Sequence, residues 1–499
     1  MSEANKTRIA GRTTTSSAWL VTARLIAKGI DFLTLLILAR LLNPTQFGIV
    51  AVAMTLVYIV EAVLELPIGQ VLVRLKIQRS HLDTAFTLGV LRGLALAALL
   101  SALAWPFSRF YDDPRLVGII TTLSLAPALR GLTSPGMAVF AQALNYKRDF
   151  AIELSSKLVA FALASLSAWL LRDYRALIIG TIATPATMVI VSYLLAPYRP
   201  RLSLAEWPAF SRYVGWTTAS QLLAALNWQC DRLILGRYVP RARLGEYALA
   251  NDLSYLPEQA IIKPIMRPLM SAFALIRDDR ARLQMAYEKT ATTVLAVGAP
   301  IMIGLSLLAD PAVRLALGGK WIAAIPILQW LSLTLIPALF ISPMTSLALA
   351  FGRPDITMRQ TAGEALIKLP MVFAGAYWFG ITGVIVARAA SAILTAVLSL
   401  YFVRGMIGTP MLHQAASAWR VIVSGLVLAA ILLLLRPLVD SGNALMMAFQ
   451  MLAVAGIGMA GYVIAMAACW QIAGRPNGLE AAAFERFVPL LRRMRRQPG

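Results

Sequence analysis

Cysteine and histidine are nearly absent from this chain, two of each in 499 residues. Cys230 and Cys469 lie in apolar segments far apart in sequence, which excludes a disulfide framework and a thiolate metal site. His81 and His413 fall at expected loops or interfaces, and no metal ligand set or cofactor is expected. Asp112-Asp113-Pro114 reads as a turn that starts a helix. Gly318-Gly319-Lys320 lacks the earlier Gly and the Ser/Thr of a phosphate-binding loop. Charge is scarce as well: 14% of residues are charged, against about 25% in soluble proteins. Acids are scarcer than bases, 24 against 46. Long polar connections are missing, and with them room for an extramembrane or catalytic domain. No enzymatic constellation is present, and a non-enzyme is expected.

What is there instead is apolar sequence. Hydrophobic residues make up 59% of the chain, and stretches of bilayer-spanning length recur from end to end. Val421–Leu435 and Leu445–Trp470 have almost no polar residues. In lipid the backbone must satisfy its own hydrogen bonds, and the alternation of a membrane β-barrel is absent. The fold class is therefore an all-α polytopic membrane protein. The polar, basic start Met1–Thr15 does not read as a cleavable signal peptide.

Turn signals such as Asn43-Pro44, Asp113-Pro114, Asp310-Pro311 and Arg353-Pro354-Asp355 divide the chain into about fourteen helices, with twelve as the alternative count. With the N-terminus in the cytoplasm, alternate loops on that side carry clustered Lys and Arg, among them Lys147/Arg148, Arg199/Arg201 and Arg277/Arg280/Arg282. The opposite loops are poorer or charge-balanced, Arg237–Arg243 being the exception. The net charge of +22 thus reads as positive-inside loops and not as a nucleic-acid surface. Both termini are expected to be cytoplasmic.

The chain also contains itself twice. Residues 19–72 laid on 216–269 share 16 identities in 54 positions. Trp19 falls on Trp216, Arg40 on Arg237, Gly48 on Gly245, Tyr58 on Tyr255, Glu61 on Glu258 and Pro67 on Pro264. Parallel repeats of this kind mark transporters whose two halves surround one site. The expected organisation is a cytoplasmic segment over 1–15 and a six-helix bundle over 16–200. A second six-helix bundle over 201–410, two extra helices over 411–472 and a basic tail over 473–499 follow.

Charges at bilayer depth are costly and normally face a partner or a wet cavity. Arg24, Lys28 and Asp31 fall at i, i+4, i+7 on one face of the first helix, and Glu61 and Glu65 at i, i+4 on the second. Arg92, Arg130, Lys157 and Lys368 lie within later helices. Asp231, Arg232, Lys263 and Arg388 sit near expected helix ends, where closed ion pairs or snorkelling explain them. Glu153–Lys157 and Glu364–Lys368 are i, i+4 pairs that could neutralise each other. For Glu61 and Glu258 two readings stay open: carboxylates facing each other across a pseudo-two-fold cavity, or inherited hinge structure. The candidate anion-binding residues are Arg24, Lys28, Arg92, Arg130, Lys157 and Lys368. The ion-coupling candidates are Asp31, Glu61, Glu65, Glu258 and Glu364. In the second copy Gln221, Ala225 and Trp228 replace Arg24, Lys28 and Asp31, so the broken symmetry points to the first helix.

Several blocks carry a family resemblance: Leu38-Ala39-Arg40-Leu41-Leu42-Asn43-Pro44 with Phe47-Gly48, Phe110-Tyr111 with Pro114, Asp231-Arg232-Leu233-Ile234-Leu235-Gly236, Gly319-Lys320-Trp321 and Gly352-Arg353-Pro354-Asp355. Over roughly residues 10–410 the chain resembles the Wzx-type polysaccharide flippases of the multidrug/oligosaccharidyl-lipid/polysaccharide (MOP) superfamily, in particular the colanic acid and succinoglycan exporters. The resemblance implies a MATE-like fold of two six-helix bundles with alternating access in the bacterial inner membrane. It implies an undecaprenyl-pyrophosphate-linked oligosaccharide as substrate, delivered to the periplasmic face and driven by H+ or Na+. It also implies a monomer working beside a polysaccharide polymerase and chain-length machinery. It assigns no site residue. A lipid II flippase and a drug/cation antiporter of the same superfamily are the rivals, and a membrane polymerase or ligase fits less well. An excess of intramembrane Arg and Lys suits an anionic substrate.

Overall fold

The computed structural model describes residues 25–66, 68–75, 77–142, 147–211, 214–439 and 443–475. The segment 1–15, nearly all of the tail expected over 473–499, and Trp19, Arg24 and Pro67 lie outside these residues. Among the described residues, each of the fourteen expected segments is helical and no strand occurs. Nine helical stretches there are long and apolar enough to cross a membrane. One of them, Pro354–Ile407, has 54 residues, more than twice what a bilayer needs. It is a hairpin of two spans. Gly380 leaves the helix at φ 58°, ψ −134°, a conformation open to glycine. The backbones of Gly375 and Gly383 touch, whereas eight residues of straight helix would hold them about 12 Å apart.

Chain contacts group the protein into two units, Met1–Ala248 and Leu249–Gly499. The first unit contains α1 (25–41), α2 (Pro44–Val63), α3 (Arg79–Phe110), α4 (Arg115–Leu123), α5 (Leu125–Gly131), α6 (Lys147–Leu171), α7 (Arg175–Leu195) and α8 (Val214–Tyr238). Helix α9 (Arg241–Pro257) begins in it and ends in the second. Helix α8 packs on α2, so this grouping extends past residue 200. Pro44 occupies the first turn of α2, where its missing N–H is no loss. The Gln46 side chain accepts from the Asn43 N–H at 2.9 Å.

Prolines fall at some helix breaks and not at others: Pro185 and Pro300 lie inside continuous helices. The span around Pro127 and Pro135 is divided into α4, α5 and Met137–Gln142. The span around Pro337 and Pro343 is divided into Ile325–Thr334, Ile336–Ile341 and Pro343–Ala350, with a proline in the first turn of each piece. Proline removes a helical hydrogen bond and crowds the preceding turn.

The connection after α7 is strapped to the start of α3. Tyr198 donates to Asp83 at 2.5 Å, Ser203 N–H to Thr87 Oγ1 at 2.8 Å and Glu206 N–H to Thr84 Oγ1 at 3.2 Å.

The one basic loop on the expected outer side proves to be neutralised. Arg237 lies 3.1 Å from Asp112, Arg241 3.5 Å from Asp113, and Arg243 2.9 Å from Glu246. Arg241 also donates to the Gly236 and Tyr111 carbonyls at 2.6 and 2.7 Å. Asp112-Asp113-Pro114 is the expected turn: Asp113 accepts from the Arg115 N–H at 3.3 Å as α4 begins. The loop is a protein joint, which is why its charge breaks the bias.

The second unit contains α10 (Lys263–Leu275), α11 (Arg280–Leu307), the broken span Gly319–Ala350, the hairpin α12 (Pro354–Ile407), α13 (Trp419–Leu435) and α14 (Ala444–Ile472). The last two helices pack on α11 through Val294, Met302, Leu428, Leu432 and Val454, all buried. Tyr462 on α14 donates to the Ala296 carbonyl at 2.9 Å. The two helices outside the repeat are thus an integral part of this unit's core.

Candidate functional site

Three groups of candidate charges emerge, two in the first unit and one in the second. In the first group, Lys28 and Asp31 share a face of α1, as their spacing requires. Lys157 on α6 joins them. Its ammonium donates to Asp31 Oδ1 at 2.6 Å, while Lys28 stands 3.7 Å from Asp31 Oδ2. Asp31 therefore sits between two lysines, and the cluster keeps a net positive charge. The ion pair of Lys157 is with Asp31 and not with Glu153 one turn away. All three side chains remain between about a quarter and two fifths exposed.

In the second group, Arg130 on α5 reaches Glu61 near the end of α2 at 2.7 Å. Arg92 on α3 donates through Nε to the Leu64 carbonyl at 2.6 Å. Leu64 is the C-cap of α2, so Arg92 places a cation where the helix dipole is negative and a carbonyl lacks a helical partner. Glu61, Glu65 and Arg130 all lie within electrostatic reach of Arg92. Glu65 itself is exposed.

Glu258, the repeat partner of Glu61, stands on a different backbone. It opens a π-helical turn, Glu258–Ile262, between α9 and α10. Such turns accompany functional sites. Lys263 is within its electrostatic reach. The two equivalent carboxylates have diverged: Glu61 is paired in a regular helix, Glu258 sits at an irregularity.

The third group lines a cavity of about 180 Å³ inside the second unit. Gln360, Glu364 and Lys368 come from the first arm of α12, spaced one turn apart. Arg388, Ser391 and Thr395 come from the second arm, and Tyr255 from α9. Lys368 and Arg388 are 8% and 6% exposed. The Arg388 guanidinium donates to Asn251 Oδ1 at 2.6 Å and to the Tyr255 hydroxyl at 3.1 Å. Arg388 does not snorkel. It is held about two turns inside its arm.

Sequence reasoning left Arg388 among the helix-end charges and did not single out Thr395. Their signal was present: Arg388, Ser391 and Thr395 fall at i, i+3, i+7, a polar stripe in an apolar arm. Asp231 and Arg232, also read as end charges, form a buried joint. Asp231 accepts from Tyr247 at 3.0 Å and Arg232 donates to the Ala248 carbonyl at 3.4 Å. Arg24 lies outside the described residues.

These groups sit in a chain with recognisable relatives. The model of the family described as "Polysaccharide biosynthesis protein" matches residues 37–326. Lipopolysaccharide biosynthesis protein WzxC of Escherichia coli is 26% identical over 415 residues, covering 82% of this chain and 84% of its own. Succinoglycan biosynthesis transport protein ExoT of Rhizobium meliloti is 26% identical over 326 residues, covering 64% of this chain and 66% of its own. Among solved structures, lipid II flippase MurJ in an inward closed conformation superposes with a TM-score of 0.72 over 91% of this chain and 100% of its own, at 14% identity. An inward-facing multidrug resistance MATE family transporter of the MOP superfamily gives 0.63 over 76% and 94%, also at 14% identity. The chain is thus a multi-pass membrane protein that belongs to the polysaccharide biosynthesis protein family and has the helical fold shared by MurJ and the MATE transporters.

Proposed function

We propose that this protein is a flippase. It carries an oligosaccharide linked to undecaprenyl pyrophosphate from the cytoplasmic to the outer face of a bacterial inner membrane, for assembly into surface polysaccharide. The observation that carries the reading is the Lys28–Asp31–Lys157 cluster, two cations around one carboxylate within apolar helices. Unaided passage of a pyrophosphate and a hydroxyl-rich glycan through hydrocarbon would be prohibitive. Intramembrane lysines and arginines give such a headgroup charge-assisted donors. A small hydrophobic cation, the cargo of a drug antiporter, would be repelled by the same groups.

In this reading Lys28, Lys157 and Arg130 meet the headgroup, with Arg24, four residues before Lys28 in the sequence, as a further candidate. Lys368 serves the second bundle, and Arg92 positions the end of α2. Asp31, Glu61, Glu65, Glu258 and Glu364 are the candidates to exchange a coupling H+ or Na+. The protein acts as a monomer with both termini cytoplasmic, and its product passes to a polymerase and chain-length machinery. The repeats organise it as bundles over 16–200 and 201–410, with 411–472 as added helices.

Deleting the gene in its host tests this directly. Surface polysaccharide is lost and lipid-linked oligosaccharide accumulates on the cytoplasmic leaflet. Unchanged surface polysaccharide with no accumulation rejects the reading.

A further inference from the structure

We infer that the connection from Tyr198 to Trp207, which follows α7, is a docking surface for anionic phospholipid. Its level in the membrane follows from the helices that hold it. α3 and α7 are both long and apolar enough to cross a bilayer, and α3 has 32 residues. At that length α3 is about 48 Å long, against roughly 30 Å of hydrocarbon, so its ends stand in the headgroup layers. The connection is tied to one of those ends. Tyr198, Ser203 and Glu206 are bonded to Asp83, Thr87 and Thr84 in the first three turns of α3. α7 ends at Leu195, just before it. The segment is thus pinned at headgroup depth.

A segment tied down this firmly can turn its large apolar side chains onto the protein, and this one does not. Leu202 is 76% exposed, Leu204 49% and Trp207 41%. Three large apolar side chains within six residues need an apolar neighbour, and at this depth the neighbour is the upper part of the acyl chains. Trp is the side chain that membrane interfaces favour.

The charges of the segment are sorted in the same way. Its one carboxylate, Glu206, is engaged by α3: it accepts from Ser80 Oγ at 3.1 Å and lies 3.7 Å from His81 Nε2. Arg199 and Arg201 are exposed, and no carboxylate among the described residues pairs with them. The acid meets protein, and two bases are left beside the leucines and the Trp. A soluble anion would satisfy the arginines and leave the leucines in water. An anionic lipid satisfies both, its phosphate meeting the guanidinium groups and its chains the leucines. The inference does not depend on what the protein carries, so its failure leaves the flippase reading standing.

The test uses the full-length protein in lipid nanodiscs with a fluorophore on Ala205→Cys. Position 205 is exposed, and Cys230 and Cys469 are buried. Phosphatidylglycerol and phosphatidylcholine brominated on their chains serve as contact quenchers. Both should quench the label, phosphatidylglycerol at the lower mole fraction. Arg199→Gln and Arg201→Gln should each lower this preference by about fivefold, the energy that an anionic surface gives one arginine. Leu202→Ser with Leu204→Ser should reduce quenching by both lipids. Arg280→Gln with Arg282→Gln, which removes two exposed arginines elsewhere, should leave the preference in place. Equal quenching by the two lipids overturns the inference. So does a preference that survives Arg199→Gln with Arg201→Gln, or one that Arg280→Gln with Arg282→Gln removes, because net charge is then its source. No quenching by either lipid also overturns it and leaves the leucines to a protein partner. Inorganic phosphate added to phosphatidylcholine discs should not change the label's emission, and a change there assigns the arginines to a soluble anion instead.

Discussion

Gly48 and Gly245, 197 positions apart and equivalent in the repeat, meet backbone to backbone. A Cβ on Gly48 would stand 1.8 Å from the Arg241 carbonyl oxygen, and one on Gly245 1.9 Å from the Pro44 carbonyl oxygen. Pro44 and Arg241 are themselves equivalent under the same shift, so the contact is symmetric. The equivalent starts of α2 and α9 therefore pack on each other through this glycine pair.

A methyl group cannot enter that contact without moving a backbone. Gly48→Ala and Gly245→Ala are each expected to destabilise the protein by ~1–3 kcal/mol, the usual range for overpacking. Gly118→Ala is the control: nothing lies within 4 Å of its added Cβ, and alanine favours helix. Melting in detergent should fall for the first two and hold or rise for the third. Equal melting temperatures for all three would show that the close approach of Gly48 and Gly245 does not limit stability.

The Lys157–Asp31 pair allows a double-mutant cycle. Lys157→Met leaves Asp31 with Lys28 alone, and export of polysaccharide is expected to drop by about tenfold or more, as when a charge-assisted contact is lost. Asp31→Asn, which keeps both lysines, should lose less if the cations meet the substrate. Wild-type export by Lys157→Met would show that this cluster is structural. The cycle also measures whether the two residues couple, as their 2.6 Å contact requires.

Asp113 makes stability depend on acid. Burial by itself would raise its carboxyl pKa. The hydrogen bonds and charge of Arg115, with Arg241 adding to them, outweigh burial and hold it below the usual carboxylate range. A carboxylate whose folded pKa is depressed contributes stability above its unfolded pKa of about 3.9, and that contribution disappears as pH falls through the folded value. Melting temperature should therefore decline below about pH 4 in the wild type. Asp113→Asn should melt lower at pH 7 and show a shallower acid decline. An acid decline as steep in the variant as in the wild type would contradict this account.

Topology is open to cysteine labelling, because Cys230 and Cys469 are buried. Asn43→Cys and Arg201→Cys introduce thiols at exposed positions separated by five expected helices. They should react with an impermeant reagent from opposite sides of the membrane. Labelling from the same side would mean that the helix count between them is even.

The parts of the fold legible in the sequence were those that depend on neighbours along the chain. The spans follow from runs of apolar residues and the repeat from its identities, whereas proline alone does not tell the breaks at Pro337 and Pro343 from the continuous helix at Pro300. The site was less legible. The spacing of Lys28 and Asp31 located one face of α1, but nothing local linked that face to Lys157. Arg388 looked like a snorkelling end residue because the sequence does not show how tightly the chain turns before it. The turn at Gly380 is tight, and the arm starts earlier. The basic loop Arg237–Arg243 looked like an exception to the charge rule because two of its three neutralising acids, Asp112 and Asp113, lie over 120 residues away.

By itself, then, the sequence determined the solvent this protein lives in, the helices that solvent demands and the duplication that built them. Hydropathy and backbone satisfaction are local properties, and lipid enforces them segment by segment. Only the tertiary structure decided which charges meet: Lys157 with Asp31, Arg130 with Glu61, Arg388 with Asn251 and Tyr255. An intramembrane charge is stabilised by whichever partner packing brings within about 3 Å, and side-chain partners from different helices leave no periodic trace in one sequence. Gly48 and Gly245 show both sides of this. Their equivalence is written in the chain, and their contact exists only in the fold.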